Sequence, residues 1–359
     1  MSRFFDNLRR KVEAGERIDD AEALGLFESR DLLAIGELAA LANRRVNGDR
    51  VYFNVNRHIN YTNICVNRCT FCAFSKGVED DGCYTLALGD ILAKAAEAAA
   101  GGATELHMVG GLHPELPFDF YLEMLAAIRA DSPSLHIKAF TAVEIDYFAK
   151  LTGQSIERVL GELKEAGLGS MPGGGAEILG ARVREQICPE KISGERWLEV
   201  IACAHRSGLR TNATMLFGHI EAAADRVDHL HRLRALQDET GGFQAFIPLA
   251  FQPDNTRVPG ATGVDGVDAL KTLAISRLYL DNFRHVKAYW IMLGLKIAQV
   301  SLCFGVNDLD GTVVEEKIGH DAGADSPQNL SKEDLCELIR KAGKVPVERD
   351  TLYNELKTY

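Results

Sequence analysis

The chain has 359 residues, 46% of them hydrophobic and 25% charged, with a formal net charge of −11 at pH 7. This is the composition of a globular chain with a full-sized core, and it shows no basic face that would hold a nucleic acid through its phosphates. No run approaches the roughly 18 apolar residues of a membrane-spanning helix.

The opening run Met1-Ser-Arg-Phe-Phe-Asp-Asn-Leu-Arg-Arg10 lacks the apolar segment of a secretory leader. Eight cysteines in a chain of this length do not suggest a disulfide framework, so a reducing cytoplasm is the expected location. Residues 1–50 carry helical stripes (Leu24, Leu26 and Phe27, then Leu32, Leu33, Ile35 and Leu38) and read as an N-terminal helical extension. From residue 51 short apolar runs alternate with amphipathic stretches, the pattern of a parallel sheet. Strands are predicted at 52–61, 105–109, 137–141, 169–172, 211–217, 243–249, 286–292 and 298–304. Stripes such as Leu88, Leu92, Ala95 and Ala99, or Trp197, Val200, Ile201 and Ala204, mark the intervening helices.

Eight strands with helices between them predict a (βα)8 barrel of the TIM type over residues 51–312, with chemistry at the C-terminal strand ends. Residues 313–359 are expected to form a C-terminal helical extension packed on the barrel. Within it, Ser331-Lys-Glu-Asp334 opens a helix carrying Leu335, Leu338 and Ile339.

Just after the first strand stands Cys65-Val-Asn-Arg-Cys69-Thr-Phe71-Cys72. Cubane iron–sulfur clusters are normally held by four thiolates. Three on one loop leave an iron open to a substrate, like the open position of a catalytic metal site. Structural zinc and a redox C-x2-C pair are the alternatives. Zinc sites usually add a second pair well downstream, and a redox pair would leave Cys65 idle.

Other residues gather at the expected strand ends. Gly110-Gly111 suits close backbone approach or an ordinary turn. Met171-Pro-Gly-Gly-Gly-Ala-Glu177 lacks the Lys-Ser/Thr ending of a P-loop. His58, His113 and His219 are the histidines placed for proton transfer or substrate contact, whereas His229 and His231 are expected at the surface. Cys83, Cys188, Cys203, Cys303 and Cys336 read as structural thiols, and Asp308-Leu-Asp310-Gly311 as a turn.

The cysteine run resembles that of radical S-adenosylmethionine (SAM) enzymes. Asn56-Arg-His-Ile-Asn-Tyr-Thr-Asn-Ile-Cys65, the 171–177 run, Cys188-Pro-Glu-Lys191 and Phe304-Gly305 are similar to the subgroup of aminofutalosine synthases, dehypoxanthine futalosine cyclases and deazaflavin (FO) synthases. Gly111-Leu-His-Pro-Glu115, the 213–221 block, the 237–248 block and Asp310-Gly-Thr-Val-Val-Glu-Glu-Lys317 most resemble the aminofutalosine synthases of menaquinone biosynthesis.

That resemblance implies a 4Fe–4S cluster on Cys65, Cys69 and Cys72, with SAM filling the fourth corner. It also implies SAM contacts from Phe71, from Gly110 and Gly111 (where Leu112 replaces the usual acid), and from Glu177 to a ribose hydroxyl. Lys191 would pair with the methionine carboxylate, with Arg182 and Arg184 as nearby cations. Gly218, Glu221 and Ile247 would lie near the adenine.

The implied reaction adds the 5′-deoxyadenosyl radical to the enol ether of 3-[(1-carboxyvinyl)oxy]benzoate. Loss of bicarbonate and methionine then gives 6-amino-6-deoxyfutalosine. The substrate is a small-molecule dianion, for which Arg57, His58, Lys138 and Arg257 are candidate ligands, with His58 and His219 for proton transfer. A low-potential electron donor such as flavodoxin or ferredoxin is implied as partner; neither nucleic acid nor membrane is. The sibling cyclase and FO-synthase chemistries are the runner-up.

Overall fold

Three helices lead the chain, Arg3–Ala14, Asp20–Glu28 and Leu32–Asn47, in a computed structural model that describes residues 3–359. The second is fixed by a capping box: Asp19 accepts from the Glu22 amide while the Glu22 carboxylate accepts from the Asp19 amide. Phe5, Leu8, Leu26, Ile35 and Leu38 from these helices are buried in the same core as the barrel helices.

The run expected as one strand at 52–61 is two, β1 (Arg50–Asn54) and β2 (Asn56–Ile59). β3 (Glu105–Met108), β4 (His136–Ala139), β5 (Ser170–Met171), β6 (Arg210–Phe217), β7 (Phe243–Ala250) and β8 (His285–Val286) follow. β2 to β8 lie side by side in chain order as a seven-stranded sheet, every neighbour parallel. Helices join each pair, as parallel strands require. Helices on the outside and side chains within bury both faces, which is why strands such as β7 read as apolar runs.

The sheet curls shut through a segment not expected to be a strand. β9 (Asp308–Gly311) and the residues after it bridge both edges: Lys287 pairs in parallel with Asp308, and Arg57 with Val314. The strand expected at 298–304 is instead the helix Leu295–Ser301 and its C-terminal turn. Ala298, Ser301 and Leu302 are buried at helical spacing there, after Gly294 at φ 73°. The 308–311 turn expected from two acids and a glycine is that missing strand, because both carboxylates meet cations inside the fold. The strand expected at 286–292 is short, giving way to the helix Trp290–Leu293.

β1 leaves the barrel for a second sheet with β10 (Val345–Arg349) and β11 (Glu355–Thr358), ordered β11-β10-β1-β9. The C-terminal segment is therefore not helical throughout: the helices Ile318–Asp321 and Lys332–Lys341 precede these two strands. Val51, Phe53, Trp290, Leu309, Leu335 and Ile339 form a second core under this sheet. No helix among the described residues is long and apolar enough to cross a membrane.

Candidate active site

A cavity of about 290 Å³ opens at the C-terminal ends of the barrel strands. Of the eight cysteines, only Cys65, Cys69 and Cys72 are among its lining residues. Their loop is stitched to its surroundings by backbone bonds. Cys65 donates to Lys76 (2.9 Å), Val66 to Leu112 (3.0 Å) and Thr70 to Ile187 (2.8 Å), while Arg257 donates to Thr70 (2.7 Å). Burial pushes the Cys69 thiol up to about 12 and raises Cys65 as well, so thiolates there call for a cation to compensate them.

The turn after β3 presses on that loop. A Cβ on Gly111 would stand 2.1 Å from the Ile64 carbonyl oxygen, and one on Gly110 would stand 2.6 Å from the Tyr61 ring. Only glycine fits at either position. The Gly110 amide donates to Glu144 Oε1 (3.2 Å), which also accepts from the Tyr61 hydroxyl (2.5 Å). Glu144 Oε2 accepts from the Thr141 amide (2.7 Å) and hydroxyl (2.8 Å), forming the capping box of helix Ala142–Thr152. Burial raises the Glu144 carboxyl against all these donors.

Beside the cysteine loop, Lys191 Nζ lies 2.5 Å from Glu177 Oε1 and 4.9 Å from the centre of the Phe71 ring. Glu177, at φ +46°, turns the glycine-rich loop after β5 back toward β6, whose Leu216 amide donates to its carbonyl (2.9 Å). Ile247, Leu216, Leu249, Val109 and Val143 give the walls an apolar character.

The barrel interior beneath is charged but paired. Lys138 meets Glu105 at 2.5 Å and Lys287 meets Asp310 at 2.6 Å. Burial opposes the charge on Glu105, yet Lys138 holds its carboxyl below the usual range. His58 stacks on His107 with ring centres 4.4 Å apart.

The structure thus gathers Phe71, Gly110, Gly111, Glu177, Lys191, Ile247, His58 and Lys138 around one cavity with the three cysteines. Other predicted residues stand elsewhere. Arg57 points out of the barrel to Glu97 (2.7 Å) and Glu315 (3.1 Å). Arg257 is exposed and donates to the Arg68 and Cys69 carbonyls, holding the cysteine loop instead of the cavity.

Gly218, His219 and Glu221 form a self-contained turn outside the lining. Glu221 accepts from the Gly218 (2.6 Å) and His219 (2.9 Å) amides and pairs with Arg226 at 2.8 Å. His219 donates to the Leu216 carbonyl at 3.0 Å. His113 accepts from the Glu115 amide and is also outside the lining.

Arg184 is spent on the Gly175, Ala176, Ile178 and Ile192 carbonyls, and Arg182 on Asp225. His229 is fully buried, donating to the Thr214 carbonyl (2.9 Å) and accepting from the Leu179 amide, because the helix turns it toward β6.

Glu144, which the sequence places at the rim after the third predicted strand, lines the cavity, and so do His107, Asn212, Thr214, Asp310 and Glu316, which no sequence signal assigns to it. Thr141-x-x-Glu144 carries a capping-box signature that would have found the first. The others emerge only when the strands align.

The residues fit an iron–sulfur cluster. Three buried-to-intermediate thiols face one cavity with no fourth cysteine in its lining.

Residues 59–233 match the model of the radical SAM superfamily, and residues 240–358 that of the CofH/MqnC C-terminal region. The chain is similar to the aminodeoxyfutalosine synthase of Thermus thermophilus, 46% identical over 353 residues, covering 97% of this chain and 95% of the relative. It is also similar to the 5-amino-6-(D-ribitylamino)uracil–L-tyrosine 4-hydroxyphenyl transferase of Methanopyrus kandleri, 43% identical over 348 residues, covering 95% and 94%. The FeFe-hydrogenase maturase HydG from Carboxydothermus hydrogenoformans shares the fold, with a TM-score of 0.74 at 17% identity over 97% of this chain and 80% of that one. The chain therefore belongs to the radical SAM superfamily, enzymes that use a 4Fe–4S cluster and SAM, and within it to the group that includes the aminodeoxyfutalosine synthases.

Proposed function

We propose that this enzyme transfers the 5′-deoxyadenosyl group of SAM to 3-[(1-carboxyvinyl)oxy]benzoate, forming 6-amino-6-deoxyfutalosine with release of methionine and bicarbonate, a step toward menaquinone. The observation that carries the reading is the whole-length 46% identity to an aminodeoxyfutalosine synthase, in a chain whose three-cysteine loop opens on one cavity. When bound, the cluster on Cys65, Cys69 and Cys72 supplies the electron that cleaves SAM to a 5′-deoxyadenosyl radical.

The chain's own residues do the rest. Gly110 and Gly111 bring backbone close to the cysteine loop, and Glu144 holds that turn from behind. Lys191 and Phe71 bound the cysteine side of the cavity, with Glu177 keeping the lysine in place. Ile247, Leu216 and Val143 give apolar surface to adenine and arene and keep water from the reacting carbon. Holding the vinyl carbon beside C5′ is the larger contribution, since oriented reactants react as one molecule. Anaerobic incubation with SAM, dithionite and the enol ether tests this reading, because a product with both adenine and benzoate masses arises by no other route.

A second reading is favoured by the 43% identity to the Methanopyrus kandleri transferase, nearly that of the synthase. It would take L-tyrosine and the ribitylaminouracil and release 5′-deoxyadenosine. The same incubation with those substrates separates the two, since only the first puts the adenosyl group into product.

A further inference from the structure

The basic groups on one side of the cavity stand in a row. His58 on β2 pairs in register with His107 on β3, and His107 with Lys138 on β4. Each is one residue short of the end of its strand, and all three line the cavity. The imidazoles stack with planes within 8° of each other.

The acids nearby are already engaged. Glu105 is ion-paired to Lys138, Asp310 to Lys287, and Glu316 accepts from the Gly319 amide and stands 3.1 Å from His320. His58 Nε2, like both oxygens of the ion-paired Glu105, is buried with no hydrogen-bond partner among the described residues. Leaving such a group unmet is costly, and a ligand oxygen would relieve it.

We propose that the His58–His107–Lys138 row is a carboxylate receptor for the aryl carboxylate of the substrate, the two imidazoles donating to its oxygens and the Lys138–Glu105 pair closing the end of the row. The assignment rests on the enol ether reading above, which supplies an aryl carboxylate. SAM brings a carboxylate of its own. The cysteine loop has a separate cation for it, Lys191 over Phe71, which leaves the row to the other substrate.

The test uses the cluster-loaded, SAM-bound enzyme under anaerobic calorimetry, with 3-hydroxybenzoate and its neutral counterpart 3-hydroxybenzamide as probes. Wild type is expected to bind the benzoate at least about tenfold more tightly than the amide, and His107→Gln to lose about tenfold of that preference with SAM affinity unchanged. His58→Gln should do the same and stands in if the first variant fails to load its cluster. An unchanged preference in both variants overturns the proposal, as does the absence of any preference in wild type. A loss that falls on SAM overturns it too, since the row would then hold the methionine carboxylate. Adduct formation from the enol ether is read separately, so a failed function reading and a failed receptor give different results.

Discussion

Arg349 Nε donates to Asp308 Oδ2 at 2.8 Å, and neither side chain is more than 1% exposed. The pair ties β10, near the C-terminus, to the strand that closes the barrel. Tyr353 adds its hydroxyl to the same oxygen at 2.8 Å. Arg349→Met would strand a buried carboxylate, and a loss of about 3–5 kcal/mol in unfolding free energy is expected. The double variant Asp308→Asn with Arg349→Met should recover part of it. Urea titrations decide the matter, and an Arg349→Met loss under about 1 kcal/mol would show the pair to be dispensable.

Glu144 has four donors, two of them backbone amides: that of its own helix cap, Thr141, and that of the Gly110 turn. Tyr61→Phe removes the shortest of these bonds and should cost about 1.5–3 kcal/mol, as bonds to a charged group do. Glu144→Gln should loosen the Gly110 turn and weaken SAM binding by about tenfold, an energy equal to one such bond. SAM affinity measured by calorimetry on the cluster-loaded variant checks this, and unaltered affinity would mean that the turn holds itself.

Each of Cys65→Ala, Cys69→Ala and Cys72→Ala should abolish turnover while leaving the barrel folded. Iron and sulfide content should collapse with unchanged far-ultraviolet dichroism. A single variant that keeps SAM-dependent turnover contradicts the assignment of ligands.

His320 has its pKa raised to about 9, mainly by the hydrogen bond to Glu316. Its folded value lies above the unfolded one near 6.5, so its stabilisation is complete below about pH 6.5 and fades as pH rises through 9. Thermal melts of wild type and His320→Gln should therefore differ at pH 6 and converge by about pH 10. A gap that widens with pH would reverse the sign of this linkage.

Much of the barrel is legible because β7 is a long, mostly apolar run and β6 ends in one, each opening just after a glycine, and buried parallel strands need little else. β9 is not, because its two acids look like a surface turn until Lys287 and Arg349 arrive from distant segments. The stretch from Ala298 differs for the opposite reason: its apolar residues fit a strand as well as the helical face they form. In the site, the cysteine spacing is local and was read directly. Arg57 and Lys138 looked alike as cations near strand ends, and only strand phase turns one outward to Glu97 and the other into the cavity. The turn at Gly218–Glu221 has the residue types of a binding site but spends its polar groups on itself and Arg226.

The most direct measurement is mass spectrometry of an anaerobic incubation of the reconstituted enzyme with SAM, dithionite and 3-[(1-carboxyvinyl)oxy]benzoate. The account predicts one product carrying both the adenosyl and the benzoate fragments, formed with release of methionine. Free 5′-deoxyadenosine with the enol ether recovered intact would contradict it.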